Sequence, residues 1–185
     1  MMTTATTVPS THIAIQDTSV MLDLSRAGLV QEAFRLPVTY FTAVGVFGGL
    51  NVTQQDEFAP FLQTTQLQTV AMDAPMFSTI AKYLPLHEEL SENDLSVFHL
   101  ATTNNWPVIA SCNTLRRCTR QLGVTAHSTY WVLDLLVQTS MVTVAQAGTL
   151  LQQMATANPR LAPEDYESRK KLWQCQVGRS VEYSA

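Results

Sequence analysis

Apolar and polar positions along this chain switch repeatedly between the period of a strand and that of a helix. His12-Ile13-Ala14-Ile15-Gln16 reads as a short strand ending on Asp17-Thr18-Ser19. Val20, Met21, Leu22, Leu24, Ala27 and Leu29 then trace one face of a helix. Leu36 to Phe41 predicts a second strand, with Pro37 at its start where a missing N–H is tolerated. Leu67 to Met72 predicts a third, bounded by Asp73 and Pro75, and helices are expected over 76–84 and 92–104. Trp106 to Ala110 is a fourth strand, and Asn113 to Leu122 is a helix stopped by Gly123. Val124 to His127 is a fifth strand, with Ser128 placed to cap a helix over 129–139. Thr143 to Ala157 and Pro163 to Trp173 predict two closing helices, and residues 42–66 are left without an element. Alternation of this kind implies a parallel sheet of about five strands with helices on both faces, a three-layer α/β sandwich. The organisation expected is a flexible arm over 1–11, an α/β domain over 12–140, C-terminal helices over 141–175 packed on it, and a tail over 176–185.

Composition narrows the function classes. With 185 residues the chain is one domain, and 46 % hydrophobic residues provide for a sizeable core. Only 14 % of residues are charged, so acid-dependent chemistry must come from a short list of groups. A net charge of −4 excludes a polycation that holds nucleic acid by bulk charge. Cys112, Cys118 and Cys175 show no C-x-x-C spacing, which argues against structural zinc and for reduced thiols inside a cell. The longest apolar stretch, Tyr40 to Leu50, is interrupted by Gly45, Gly48 and Gly49 and falls short of a membrane span. The Thr-rich N-terminus has no basic residue and no apolar core of a secretory signal, so a cytoplasmic location is expected.

In open parallel sheets ligands bind beyond the carboxyl ends of the strands. That rule selects Asp17 after strand one, Asn113 after strand four, and Asp94 in the first turn of the helix before strand four. Together they offer oxygen ligands to one hard cation, Mg²⁺ or Mn²⁺, which activates water for phosphodiester hydrolysis. Each also has a plain structural reading. Asp17 and Asn113 are N-cap residues in type, and Ser91-x-x-Asp94 has the spacing of a capping box. Asp23 reads as solvated on the first helix. Arg116, Arg117 and Arg120 form the basic cluster of the central region; 116 and 120 share a helical face and either hold phosphates or form a solvated surface. Glu88, Glu89 and Glu92 read as an acidic surface patch, Trp131, Leu135 and Leu136 as core or dimer surface, and Cys112 as a buried thiol without a histidine to activate it. His12, His87, His99 and His127 lack ligand spacing, and Gly45, Gly48 and Gly49 do not form a phosphate loop.

Three runs taken in order resemble one family. Ile15-Gln16-Asp17-Thr18-Ser19-Val20-Met21-Leu22-Asp23-Leu24 looks like the opening of a PIN domain, where a strand ends in an acid followed by Thr and Ser or Asn. Leu90-Ser91-Glu92-Asn93-Asp94-Leu95-Ser96-Val97-Phe98-His99-Leu100-Ala101 resembles its second acidic motif. Pro107-Val108-Ile109-Ala110-Ser111-Cys112-Asn113-Thr114-Leu115-Arg116 resembles its third, and Val124 to Leu136 the strand and helix that follow. The resemblance implies kinship with Mg²⁺- or Mn²⁺-dependent ribonucleases, often toxins of toxin–antitoxin pairs. It makes Asp17 and Asp94 the catalytic acids and metal ligands, with Asn113 a weak third ligand; Ser19, Arg116 and Arg120 would bind RNA. Two family acids have no counterpart. Asn113 stands where the third belongs, and after strand two the chain offers Val46-Phe47-Gly48-Gly49-Leu50 where the family has a Glu; the next acids, Asp56 and Glu57, come a segment later. Each lost charge is worth about 4 kcal/mol at contact for an effective dielectric constant near 20. The expectation is therefore a retained fold with weak or absent nuclease activity. The alternative is a non-catalytic interaction or assembly module that pairs with a second copy or a small antitoxin-like protein.

Overall fold

A computed structural model describes the backbone of residues 11–15 and residues 18–158 and 166–173 in full. Five parallel strands form one sheet: β1 (Thr11–Ile15), β2 (Val38–Ala43), β3 (Leu67–Val70), β4 (Val108–Ile109) and β5 (Ala126–His127), in the order β3-β2-β1-β4-β5. The register runs Ile13↔Tyr40 between β1 and β2, Ile15↔Ile109 between β1 and β4, and Ile109↔His127 between β4 and β5. The helices are α1 (Thr18–Arg26), α2 (Val30–Ala33), α3 (Val44–Gly48), α4 (Val52–Gln63), α5 (Ala74–Tyr83), α6 (Glu92–Asn104), α7 (Asn113–Gln121), α8 (Trp131–Gln138) and α9 (Val144–Ala157), with a last helical segment over 166–173.

The expected three-layer α/β sandwich is what forms. On one face Val20, Met21 and Leu24 of α1, Phe58 of α4, Leu133 and Leu136 of α8, and Ala147, Leu151 and Met154 of α9 close one buried cluster. On the other, Val97, Leu100 and Ala101 of α6 pack on Ala43, Val108 and Ala126 of the sheet. A third cluster joins Ile80 of α5, Phe98 of α6 and Leu115 and Cys118 of α7. A parallel sheet covered on both faces needs near-continuous apolar strands, and β2 is buried at Val38, Tyr40, Phe41, Thr42 and Ala43.

Boundaries shift where apolar residues lie outside the hydrogen-bonded ladder. The strand expected over Trp106–Ala110 pairs only at Val108–Ile109, and that over Val124–His127 only at Ala126–His127. Pro37 precedes β2 rather than opening it. The helix over 92–104 is α6 as expected. The helix over 129–139 begins at Trp131, and Ser128 does not cap it: its hydroxyl is buried and finds no partner. Residues 42–66, left unassigned, fold into the end of β2, α3 and α4. Asn51 and Gln54 close a reciprocal capping box at the start of α4, whose mixed polar face and Pro60 mask its period in the sequence. The expected arm over 1–11 (beyond Thr11), Pro163, Cys175 and the tail over 176–185 lie outside the described residues.

Candidate functional site

The strand order reverses beside β1: the chain steps outward to β2 and β3, then crosses back to β4 and β5. The carboxyl ends of β1 and β4 are therefore the switch point at which an open parallel sheet offers a crevice. Helix α6 lies across β1, β2 and β4 and brings its N-terminus to the same edge. Helix α3 fits closely between the starts of α1 and α6. A Cβ at Gly49 would stand 2.6 Å from Thr18 Cγ2, and one at Gly45 would stand 3.0 Å from Asn93 Oδ1. Beside it opens a cleft of about 330 Å³ lined by Val44, Gly45, Met72, Phe77, Asn93 and Ser96 among others.

Asp17 lies outside the described residues. Asp94 is half-buried, and its Oδ2 accepts from Ser91 N (3.0 Å) and Ser91 Oγ (2.8 Å), while Asp94 N donates to Ser91 Oγ (3.1 Å). The capping box read from the spacing is thus formed. Asn113 is not an N-cap. Cys112 occupies that position without a side-chain bond, half-exposed rather than buried, and Asn113 is the first residue of α7. The Asn113 Oδ1 accepts from Arg116 Nη2. Arg116 is 4 % exposed, so it is neither at a phosphate-facing rim nor on a solvated surface. Its Nη1 donates to the carbonyls of Ala110 (2.7 Å) and Ser111 (3.3 Å), tying the turn after β4 to α7. Arg120 is exposed and donates to the carbonyl of Ala126 (2.6 Å), and Arg117 pairs with Glu89 (3.0 Å). Ser19, half-buried, sits in the first turn of α1. Glu57 accepts from Ser25 Oγ (2.6 Å) at the far end of α1, away from the switch point.

The expectation of a solvated Asp23 is overturned. Its carboxylate is 2 % exposed and accepts from Ser111 Oγ (3.2 Å), Thr129 Oγ1 (3.3 Å) and Asn158 Nδ2 (2.9 Å). Ser111 and Thr129 also share a hydrogen bond (3.0 Å). Helical side chains lean toward their N-terminus, which carries Asp23 up to the end of β4. Burial raises its carboxyl above the usual range, and the bonds from Asn158, Ser111 and Thr129, with Arg26 farther off, only partly offset this. The sequence did hold a signal: Asp23 falls three residues after Val20 on the apolar stripe of α1.

A PIN-type metal centre needs several carboxylates around one dication. Among the described residues no group of three or more His, Cys, Asp and Glu can hold a metal ion. The oxygen of Asn113 faces a guanidinium, itself a cation, and a Cβ at Gly49 would meet the Thr18 methyl as it stands. The described residues alone do not fit the ion.

A search of curated proteins finds no match to this chain. A family model described as a PIN domain matches residues 13–174, from β1 to the last helical segment. PIN domains are in general metal-dependent nucleases, and the parallel α/β sheet with its switch point between β1 and β4 and this match lead to one statement: the chain belongs to the PIN-domain family.

Proposed function

We propose that this protein is a degenerate PIN nuclease that binds RNA at the carboxyl edge of its sheet and hydrolyses it weakly or not at all. The observation that carries this reading is the Arg116 guanidinium on Asn113 Oδ1. Where a nuclease centre would gather negative charge for Mg²⁺ or Mn²⁺, a buried cation stands instead, and like charges at contact repel by about 4 kcal/mol per unit charge at an effective dielectric constant near 20. The test is incubation of single-stranded RNA with the full chain in Mg²⁺ or Mn²⁺, beside Asp17→Asn and Asp94→Asn. The expected outcome is no cleavage, or slow cleavage that requires Mn²⁺ and vanishes in both variants. Rapid Mg²⁺-dependent cleavage abolished by either change would reveal a competent centre and overturn the reading.

A second reading, as a protein-interaction module, is favoured by one feature. The cleft beside α3 is flanked by Val44 (49 % exposed) and Phe77 (51 % exposed), large apolar groups that solvent-facing positions seldom carry side by side. A small antitoxin-like protein or a second copy would cover them. Sedimentation of the purified chain distinguishes these: a dimer that Phe77→Glu dissociates supports a second copy, and a monomer excludes it.

A further inference from the structure

One turn of chain after β5 carries two groups that the cleft itself does not use. His127 ends β5, and Trp131 opens α8 four residues later. Their rings stack face to face, with centroids 4.1 Å apart and planes 15° from parallel. Both residues are half-buried, so the pair reaches the surface instead of closing inside the core. Thr129, between them, reaches Ser111 after β4 and Asp23 of α1, so the turn that carries the stack is tied to the switch point. Arg120, exposed on α7, is held against the carbonyl of Ala126, the residue before His127. Burial first, then the charges of Arg120 and Arg169, push the His127 imidazole down to about 4, so near neutral pH it is an uncharged aromatic ring in a positive field.

A flat aromatic pair beside an exposed guanidinium is the combination that holds single-stranded nucleic acid: the rings stack on an unpaired base and the cation meets its phosphate. We propose that His127 and Trp131, with Arg120, form a stacking platform for an unpaired base of single-stranded RNA bound across the carboxyl edge. This inference rests on the RNA-binding reading above. A duplex keeps its bases stacked on each other and has none to offer the platform, so the platform selects single strands.

The test is fluorescence anisotropy of a labelled short oligouridylate titrated with the full chain in EDTA, where metal-dependent cleavage cannot intervene, with a duplex RNA of equal length as comparison. Trp131→Leu keeps apolar bulk but removes the ring and is expected to weaken binding about tenfold, as expected for the loss of one base–aromatic stack. Trp131→Phe is expected to stay within about threefold of the parent, because a ring remains. Arg120→Ala, an exposed change that leaves the core untouched, is expected to weaken binding and to lower the salt dependence by about one phosphate contact. That variant keeps the test decisive if Trp131→Leu fails to fold. Binding by the parent that neither Trp131→Leu nor Arg120→Ala weakens, or equal affinity for duplex, overturns the platform while the RNA-binding reading stands. No binding by the parent up to about 100 µM, the weak end of non-specific binding, overturns both.

Discussion

At the scale of single residues, polar groups near the carboxyl edge of the sheet are held by internal bonds. Asp23 is the clearest case. Asp23→Ala leaves Ser111, Thr129 and Asn158 without their shared acceptor and is expected to lower stability by about 2 kcal/mol in urea unfolding. Asp23→Asn removes the buried charge, keeps an oxygen for the two hydroxyls, and is expected to match or exceed the parent at neutral pH. Gly49→Glu, which restores the family's acid type, drives its Cβ onto Thr18 and is expected to destabilise by about 1–3 kcal/mol before any gain in metal binding. Asn113→Asp is expected to pair with Arg116, so calorimetry with Mn²⁺ should show no gain over the parent. These positions also mark what the sequence conceals. The Ser91-x-x-Asp94 spacing announces its own hydrogen bonds, because a capping box is local. The partner of Asp23 at Asn158, and the guanidinium folded under the β4–α7 turn, are set by contacts that spacing does not encode.

Elements were legible in proportion to their regularity. Helix α6 matches its expected limits because Ser91 caps it through a reciprocal bond with Asp94. Helix α4 escaped because its apolar side is thin, with Phe58 and Phe61 as its buried members, and because Pro60 reads as a breaker. The segment 166–173 is fastened by one carboxylate: Asp134 accepts from Trp173 Nε1 (3.1 Å) and pairs with Arg169 (3.0 Å), whose guanidinium lies over the Tyr130 ring. The pair is mostly buried, so Asp134→Ala is expected to destabilise by about 3 kcal/mol. Hydrogen exchange should then rise first in 166–173, and equal protection in parent and variant would refute this anchoring role.

For the whole molecule, the buried Asp23 and the half-buried His127 pull the pH dependence of stability in opposite directions. His127 is depressed to about 4 from an ordinary value of 6.5, so its contribution is complete above pH 6.5 and fades as the pH falls toward 4. Asp23 is raised, so its contribution is complete below about 3.8 and fades as the pH rises through its folded value. In His127→Gln the decline of Tm between pH 6.5 and 4 is expected to flatten, and an unchanged slope would show that His127 is not its source. The overall architecture was legible because a parallel sheet writes its strands as apolar runs separated by helical periods, whereas the cleft beside α3, built from residues of separate elements, leaves no local pattern. The bond from Asn158 to Asp23 joins positions near opposite ends of the described chain. On a ribosome, the first helix is made long before the amide that will donate to its buried carboxyl emerges. Nascent chains stopped short of that asparagine should stay protease-sensitive, and those extended beyond it should abruptly become resistant.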